Sequence, residues 1–282
     1  MIKFPNCKIN LGLSIINRRV DGFHDLETIF FPVQLCDALE VIESKESNIN
    51  EVEFTSSGLE IAGNNADNLC VKAYQILKAD FTQLTGVKMH LHKLIPMGAG
   101  LGGGSADGAF ALQIISDLFS LNLSSKQLID YAAKLGSDCP FFIINKPCYG
   151  TGRGEILEPL ALSLKGYSIA LINPGIHVNT GWAFKQLTPI KPVQSVKEIV
   201  QLPIAEWKTK LVNDFEEPVT RAYPIIADIK RTLYNLNAAY AAMSGSGSTV
   251  FGIFKDAVFD KIDFSQIEHL SADIKLYKAS LG

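Results

Sequence analysis

No stretch of this 282-residue chain comes near the about 18 uninterrupted apolar residues of a membrane-spanning helix. The N-terminal MIKFPNCKIN lacks the pattern of a cleavable secretion signal. Its five cysteines, Cys7, Cys36, Cys70, Cys139 and Cys148, include no C-x-x-C pair, which argues against both a zinc site and a disulfide framework and reads as reduced thiols. There is no long basic run, and the net charge is only -3, so no electrostatic argument points to nucleic acid or a membrane surface as partner. Internal repeats and low-complexity tracts are missing as well. These absences lead to the expectation of a cytoplasmic protein whose partner is a small molecule. With 47% hydrophobic and 20% charged residues, the chain can bury the core of one large or two ordinary domains.

What the chain does have is the run Pro96-Met97-Gly98-Ala99-Gly100-Leu101-Gly102-Gly103-Gly104-Ser105-Ala106, with five glycines in seven positions. Before it, Val87, Met89 and Leu91 alternate with Lys88, His90 and His92, the period of a half-buried strand. After it, Ala109, Leu112, Ile115 and Phe119 recur at helical spacing. A glycine-rich strand-to-helix corner gathers backbone N–H groups and a helix N-terminus, which makes a phosphate cradle. Gly98, Gly100 and Gly103 satisfy the dinucleotide pattern, but the acidic residue expected about 20 positions on falls near Asp117, inside a helix. Gly98 and Gly103 also have Walker spacing, yet Gly104 stands where that loop needs lysine. No H-R-D catalytic loop of a protein kinase follows. The run therefore offers shape and N–H donors without a cation of its own.

In order along the chain, Cys7 to Ile15 alternate as a strand that puts Lys8 and Asn10 on one face. Asp21-Gly22 signals a hairpin to a returning strand over 29–35, with Phe23 and His24 just past the turn. Strands are expected over 39–43 and 52–55, with a polar loop at 44–50 between them. Asn64 to Asn68 supply caps for a helix carrying Leu69, Ala73, Ile76, Leu77, Phe81 and Leu84, ended by Gly86. A further helix starts at Ser124 or Ser125 and stops at Gly136, followed by Asp138-Cys139-Pro140. The cluster Tyr149 to Gly154 reads as the way out of a first domain, giving domains 1–155 and 156–282. Beyond it come a strand at 167–172, a short helix with Trp182 and Phe184, helices over 213–223 and 225–236, strands at 238–243 and 249–254 around Ser244 to Ser248, a helix over 258–269 and a strand at 273–277. That order fits a split βαβ, ferredoxin-like half.

A lysine-free phosphate cradle suits a nucleoside triphosphate held with Mg2+, Ser105 being the nearest hydroxyl for the metal. Phosphoryl transfer then needs charge stabilisation and a group to orient or deprotonate the attacking hydroxyl, work for which Lys8 and Asp138 are the natural pair. Each has a plainer alternative: Lys8 as a solvated edge charge, Asp138 as a helix cap, His24 as an ordinary surface or core residue. A catalytically silent nucleotide-binding module also stays open.

At this point the residues resemble a family. Pro96 to Ala106 is similar to the second motif of the GHMP small-molecule kinases, and Gly245-Ser246-Gly247 to their third, which approaches the phosphates. Pro5 to Leu11, Asp21-Gly22-Phe23-His24, Leu135 to Pro140 and Met243 to Phe251 look like one branch of that family, so the resemblance spans nearly the whole chain. It implies an α+β, two-domain GHMP kinase fold: an N-terminal half like ribosomal protein S5 domain 2, a ferredoxin-like C-terminal half and the active site between them. It implies ATP-dependent phosphorylation of the 2-hydroxyl of a cytidine diphosphate-linked methylerythritol, in non-mevalonate isoprenoid precursor synthesis. Another GHMP kinase, acting on a sugar or polyol, is the neighbouring possibility. By the same resemblance Lys8 and Asp138 are the catalytic pair, and Pro96, Met97, Gly98, Ala99, Gly100, Leu101, Gly102, Gly103, Gly104, Ser105 and Ala106 wrap the ATP phosphates. Asn68 and Lys93 lie near the nucleotide. Asn10, Phe23, His24 and Phe184 hold the cytidine end, the two phenylalanines sandwiching the base and His24 hydrogen-bonding it. Two departures stand out: Phe23 occupies a place usually held by tyrosine, and Ala106 one usually held by a second serine. With no obvious acidic metal ligand, Mg2+ is expected to be held largely by ATP and water.

Overall fold

The computed structural model describes residues 1–44 and 51–281, so residues 45–50 of the expected loop lie outside the described residues. The chain divides into two compact units, neither continuous in sequence. Residues 1–7, 36–97 and 102–146 make the first; residues 8–35, 98–101 and 147–282 make the second. The stretch 8–35, expected with the N-terminal half, clusters with the C-terminal residues because its strand is tied there: Leu13 N–H donates to Val212 O at 2.9 Å and Asp214 N–H to Leu13 O at 2.9 Å.

In the first unit a four-stranded sheet runs in the order Ile2–Lys3, Ala38–Glu43, Val87–Lys93, Val52–Gly58. Val52–Gly58 pairs parallel with Val87–Lys93, the other pairings being antiparallel. Val87, Met89 and Leu91 are buried, the face that period-2 alternation predicts. Helices Leu69–Asp80, Gly103–Leu118, Ser125–Leu135 and Cys139–Ile144 complete the unit. Ser124 caps its helix with a reciprocal capping box through Gln127. Helix Leu69–Asp80 stops well short of Gly86. The turn that follows has its own donors, Tyr74 Oη to Thr85 O at 2.8 Å and Lys78 Nζ to Thr82 O at 2.9 Å, and it buries Leu84 from the loop instead.

The second unit holds two sheets. Asn6–Arg18, His24–Cys36, Cys148–Thr151 and Ile156–Pro159 make the first, in that spatial order. The glycine cluster 149–154, expected as a way out of a domain, is therefore part of a hairpin: its glycines let the chain reverse, and Gly150 packs so close to Phe30 that a Cβ would sit 2.6 Å from the ring. The second sheet has the order Tyr240–Met243, Val250–Lys255, Tyr167–Asn173, Lys275–Ser280, all antiparallel. With helix Pro224–Asn235 on it, this is the expected ferredoxin-like arrangement. The helix expected over 258–269 is two single turns, Asp256–Phe259 and Ser265–Glu268. Asp263 takes the Ser265 N–H at 2.9 Å and restarts the chain, while Phe254, Phe259 and Phe264 pack into one aromatic cluster. Likewise the expected 213–223 helix begins only at Glu216, because Asn213 is engaged with the Met243 and Gly245 carbonyls at 2.8 Å each. Short helices Val196–Ile199 and Ile204–Lys210 were not foreseen in the polar stretch after Leu187.

Candidate active site

The glycine run leaves the first unit after Met97 and re-enters it at Gly102. Gly98, Gly100 and Gly102 have φ of +63°, +79° and +69°, a left-handed conformation that side chains with a Cβ rarely adopt. Within the second unit, Gly98 to Leu101 are threaded between two neighbours. Lys8 N–H donates to Leu101 O at 2.9 Å, Thr249 N–H to Ala99 O at 3.2 Å and Ser244 Oγ to Gly100 O at 2.7 Å. Gly100 lies so close to the Ser244 carbonyl that a Cβ there would stand 2.0 Å from its oxygen. The turn between Ser244 and Thr249 is thus a brace for the glycine run.

From Gly102 the run opens helix Gly103–Leu118 without a side-chain cap. The first intrahelical bond is Ala106 N–H to Gly102 O, which leaves the N–H groups of Gly103, Gly104 and Ser105 without helical acceptors at the positive end of the helix. A small cavity of about 120 Å³ beside them is lined by Asn68, Met97, Gly104 and Asp107 among others. Asn68 caps helix Leu69–Asp80, its Oδ1 accepting the Cys70 N–H at 2.9 Å. Half-buried Ser105 is hydrogen-bonded with Cys139, the first residue of helix Cys139–Ile144. That contact brings the Asp138 corner beside the start of the glycine helix. Asp138 stands at the N-cap position yet makes no capping hydrogen bond, so the plain capping role does not hold it. Burial is the main cause that pushes the Cys139 thiol up to about 12, which leaves it inert.

Lys93, expected near the nucleotide, is committed to protein carboxylates. Its side chain is fully buried, and its ammonium is engaged with Asp37 and, at 2.8 Å, with Asp107. Burial works against its charge, but the two carboxylates outweigh that and raise its pKa. Neither Asp37 nor Asp107 was singled out from the sequence; no local pattern marks an aspartate that pairs across 56 or 14 residues.

In the second unit, Lys8 is buried, its Nζ donating to Asn10 Oδ1 at 2.6 Å and lying 5.3 Å from the centre of the Phe30 ring. This rules out the solvated edge charge. Asn10 Nδ2 donates to Thr28 Oγ1 at 3.0 Å, Thr28 Oγ1 to Gly12 O at 2.5 Å, and Asn10 N–H to Ser244 Oγ at 3.3 Å. The lysine-asparagine strand and the brace of the glycine run therefore share one hydrogen-bonded network. The aromatic residues expected at the cytidine end are paired within the protein. His24, rather than Phe23, stacks on Phe184, with centroids 4.8 Å apart and planes 18° off parallel, and Phe215 meets the Phe184 edge. Phe23 is 52% exposed and carries the Arg153 guanidinium 4.8 Å from its ring centre. Burial, and secondarily Arg18, lowers the His24 pKa and favours the neutral imidazole, which can both donate and accept.

An N–H cradle on a braced glycine run, a buried lysine on the first long strand and an aspartate that makes no cap hydrogen bond at a helix start are features of a small-molecule phosphotransferase fold. The chain belongs to the GHMP kinases: residues 68–146 match the GHMP kinases N terminal domain and residues 196–262 the GHMP kinases C terminal domain. Among its relatives, the 4-diphosphocytidyl-2-C-methyl-D-erythritol kinase of Bacteroides fragilis is 49% identical over 98% of this chain and 100% of its own length. That of Bacteroides thetaiotaomicron is 51% identical over 90% of this chain and 92% of its own. A crystal structure of 4-(cytidine 5'-diphospho)-2C-methyl-D-erythritol kinase superposes with a TM-score of 0.84 at 30% identity, covering 100% of this chain and 99% of the other. The mevalonate kinase of Methanococcus jannaschii, at 14% identity and TM-score 0.73 over 100% of this chain and 98% of its own, shares the fold.

Proposed function

We propose that this chain is an ATP-dependent kinase that phosphorylates the 2-hydroxyl of 4-diphosphocytidyl-2-C-methyl-D-erythritol, releasing ADP and the 2-phosphate, in non-mevalonate isoprenoid precursor synthesis. GHMP kinases use ATP as phosphate donor, and the relatives that match nearly the whole length of this chain carry this activity in their names. The observation that carries the mechanism is the position of Asp138, at the start of a helix beside the one opened by the glycine run.

In the proposed reaction the ATP phosphates lie along Pro96 to Ala106, where N–H donors meet charge that grows on the γ-phosphoryl oxygens. The substrate hydroxyl oxygen attacks the γ-phosphorus, the bond to the β,γ-bridging oxygen breaks, and the hydroxyl proton passes to the Asp138 carboxylate. Lys8, already aligned by Asn10, supplies the cation that the run lacks. Mg2+ would neutralise phosphate charge, carried on this reading by the nucleotide and water with Ser105 as its protein ligand. Asn68 is assigned to the nucleotide. Asn10, Phe23, His24 and Phe184 are assigned to the cytidine end; a base between Phe23 and Phe184 requires the His24 ring to leave the face it now covers. The partner is a small molecule in the cytoplasm, without nucleic acid or membrane.

A coupled ADP-release assay tests this reading. Turnover is expected with the cytidylyl-methylerythritol substrate and not with homoserine, mevalonate or a free sugar; equal rates on any of these would sink it. Asp138→Asn should lower kcat by about 10³-fold or more with an unchanged melting curve.

A further inference from the structure

Besides the groups used above, the first unit hides a cluster of charge with no part in the chemistry. Asp37, just before strand Ala38–Glu43, has a fully buried side chain, as has Lys93 at the end of strand Val87–Lys93, and Asp107 in helix Gly103–Leu118 is nearly so. Three buried ionisable side chains are costly, and apolar residues of similar volume are often as stable or more so in such places. Their arrangement gives a reason for them. One carboxylate oxygen of Asp37 accepts the backbone N–H of Leu94 at 2.6 Å and of Ile95 at 2.8 Å; the other accepts from Lys93. These are the last residues before the glycine run. Lys93 then reaches to Asp107 at 2.8 Å, just past the end of the run. Between them the fit is close: a Cβ on Gly103 would stand 2.8 Å from Ile95 Cγ2 and 3.0 Å from Lys93 Nζ.

We infer that Asp37, Lys93 and Asp107 form a buried clamp that holds the entry and exit of the glycine run at fixed separation, with Asp37 as a positioning residue for nucleotide binding. The inference rests on the reading that this run binds the ATP phosphates. A peptide loop rich in left-handed glycines has large conformational freedom, and every conformer that does not aim its N–H groups inward subtracts from affinity. The clamp removes that freedom at both ends. Lys93, on this account, acts on the nucleotide through the backbone and not by contact.

The test separates positioning from bulk stability. Asp37→Asn keeps an acceptor for the two N–H groups but leaves the buried lysine with one carboxylate. The triple variant Asp37→Asn, Lys93→Met, Asp107→Asn removes all three charges together, so that none is left buried and unpaired. Both are followed by denaturant unfolding, by equilibrium titration with ADP and by steady-state kinetics in each substrate. The expected result is a weakening of ADP binding and a rise in KM for ATP of roughly tenfold or more in both variants, with KM for the second substrate moved less than about twofold. The triple variant should recover stability relative to Asp37→Asn without recovering nucleotide affinity. Nucleotide affinity that returns along with stability overturns the clamp, as does an equal rise in both KM values. Failure of the underlying reading looks different: the unaltered protein would then not bind ADP at all.

Discussion

At the scale of single residues, the site is made by what side chains are prevented from doing. Asp138 occupies a cap position and does not cap; Lys8 is aligned by Asn10 on its own strand; Gly100 has no side chain because none fits. The last is sharply testable. Gly100→Ala brings a Cβ to 2.0 Å from the Ser244 carbonyl oxygen at a φ of +79°, so backbone must shift and a left-handed alanine must be tolerated. A loss of roughly 3 kcal/mol is expected in the unfolding free energy measured with urea, together with a raised KM for ATP. Sequence reading singled out Lys8, Asn10 and Asp138 because each occurs in a recognisable pattern. It placed Lys93 near the nucleotide by resemblance to the family; only tertiary packing reveals two aspartates that take up its charge.

At the scale of elements, the link between strand Val87–Lys93 and helix Gly103–Leu118 is electrostatic as well as apolar. Burial first, and then the Asp37 charge, push the Asp107 carboxyl from 3.8 up to about 7, against the pull of Lys93. A carboxyl whose pKa is higher in the folded than in the unfolded chain stabilises the fold fully below its unfolded pKa, and that contribution is lost as pH rises through the folded value. Stability attributable to Asp107 should therefore decline between about pH 4 and pH 7, and urea midpoints of the native chain and Asp107→Asn should converge or cross over that window. A native-minus-variant difference that stays flat with pH refutes the assignment. Elements with strong local signals were legible: the Ser124 capping box, the alternating strand Val87–Lys93, the hairpin at Asp21-Gly22. Those decided by packing were not. Helix Leu69–Asp80 ends early because Tyr74 and Lys78 satisfy the turn carbonyls, and the 258–269 stretch splits so that Phe259 and Phe264 can both reach Phe254.

At the scale of the whole molecule, none of the five cysteines is in a disulfide, four of them are buried, and burial pushes the thiols of Cys139 and Cys148 up to about 12 and about 11. A thiol-reactive chromophore should therefore react slowly with the native protein, and with five equivalents once it is unfolded; a loss of equivalents on omitting reductant from the unfolded sample would reveal a disulfide and contradict the reduced state. No helix among the described residues is long and apolar enough to cross a membrane. The sequence by itself determined the family, the glycine run and the ferredoxin-like order of the C-terminal part, because each depends on local spacing, glycine conformation or alternation that survives in one dimension. Only the tertiary structure decided that residues 8–35 cluster with the C-terminal part, that the Ser244 turn braces Gly100 and that Asp37 and Asp107 enclose Lys93. Those are pairings between residues far apart in the chain, selected by burial and by the need of every buried polar group for a partner, and neither leaves a periodic mark on the residues that meet.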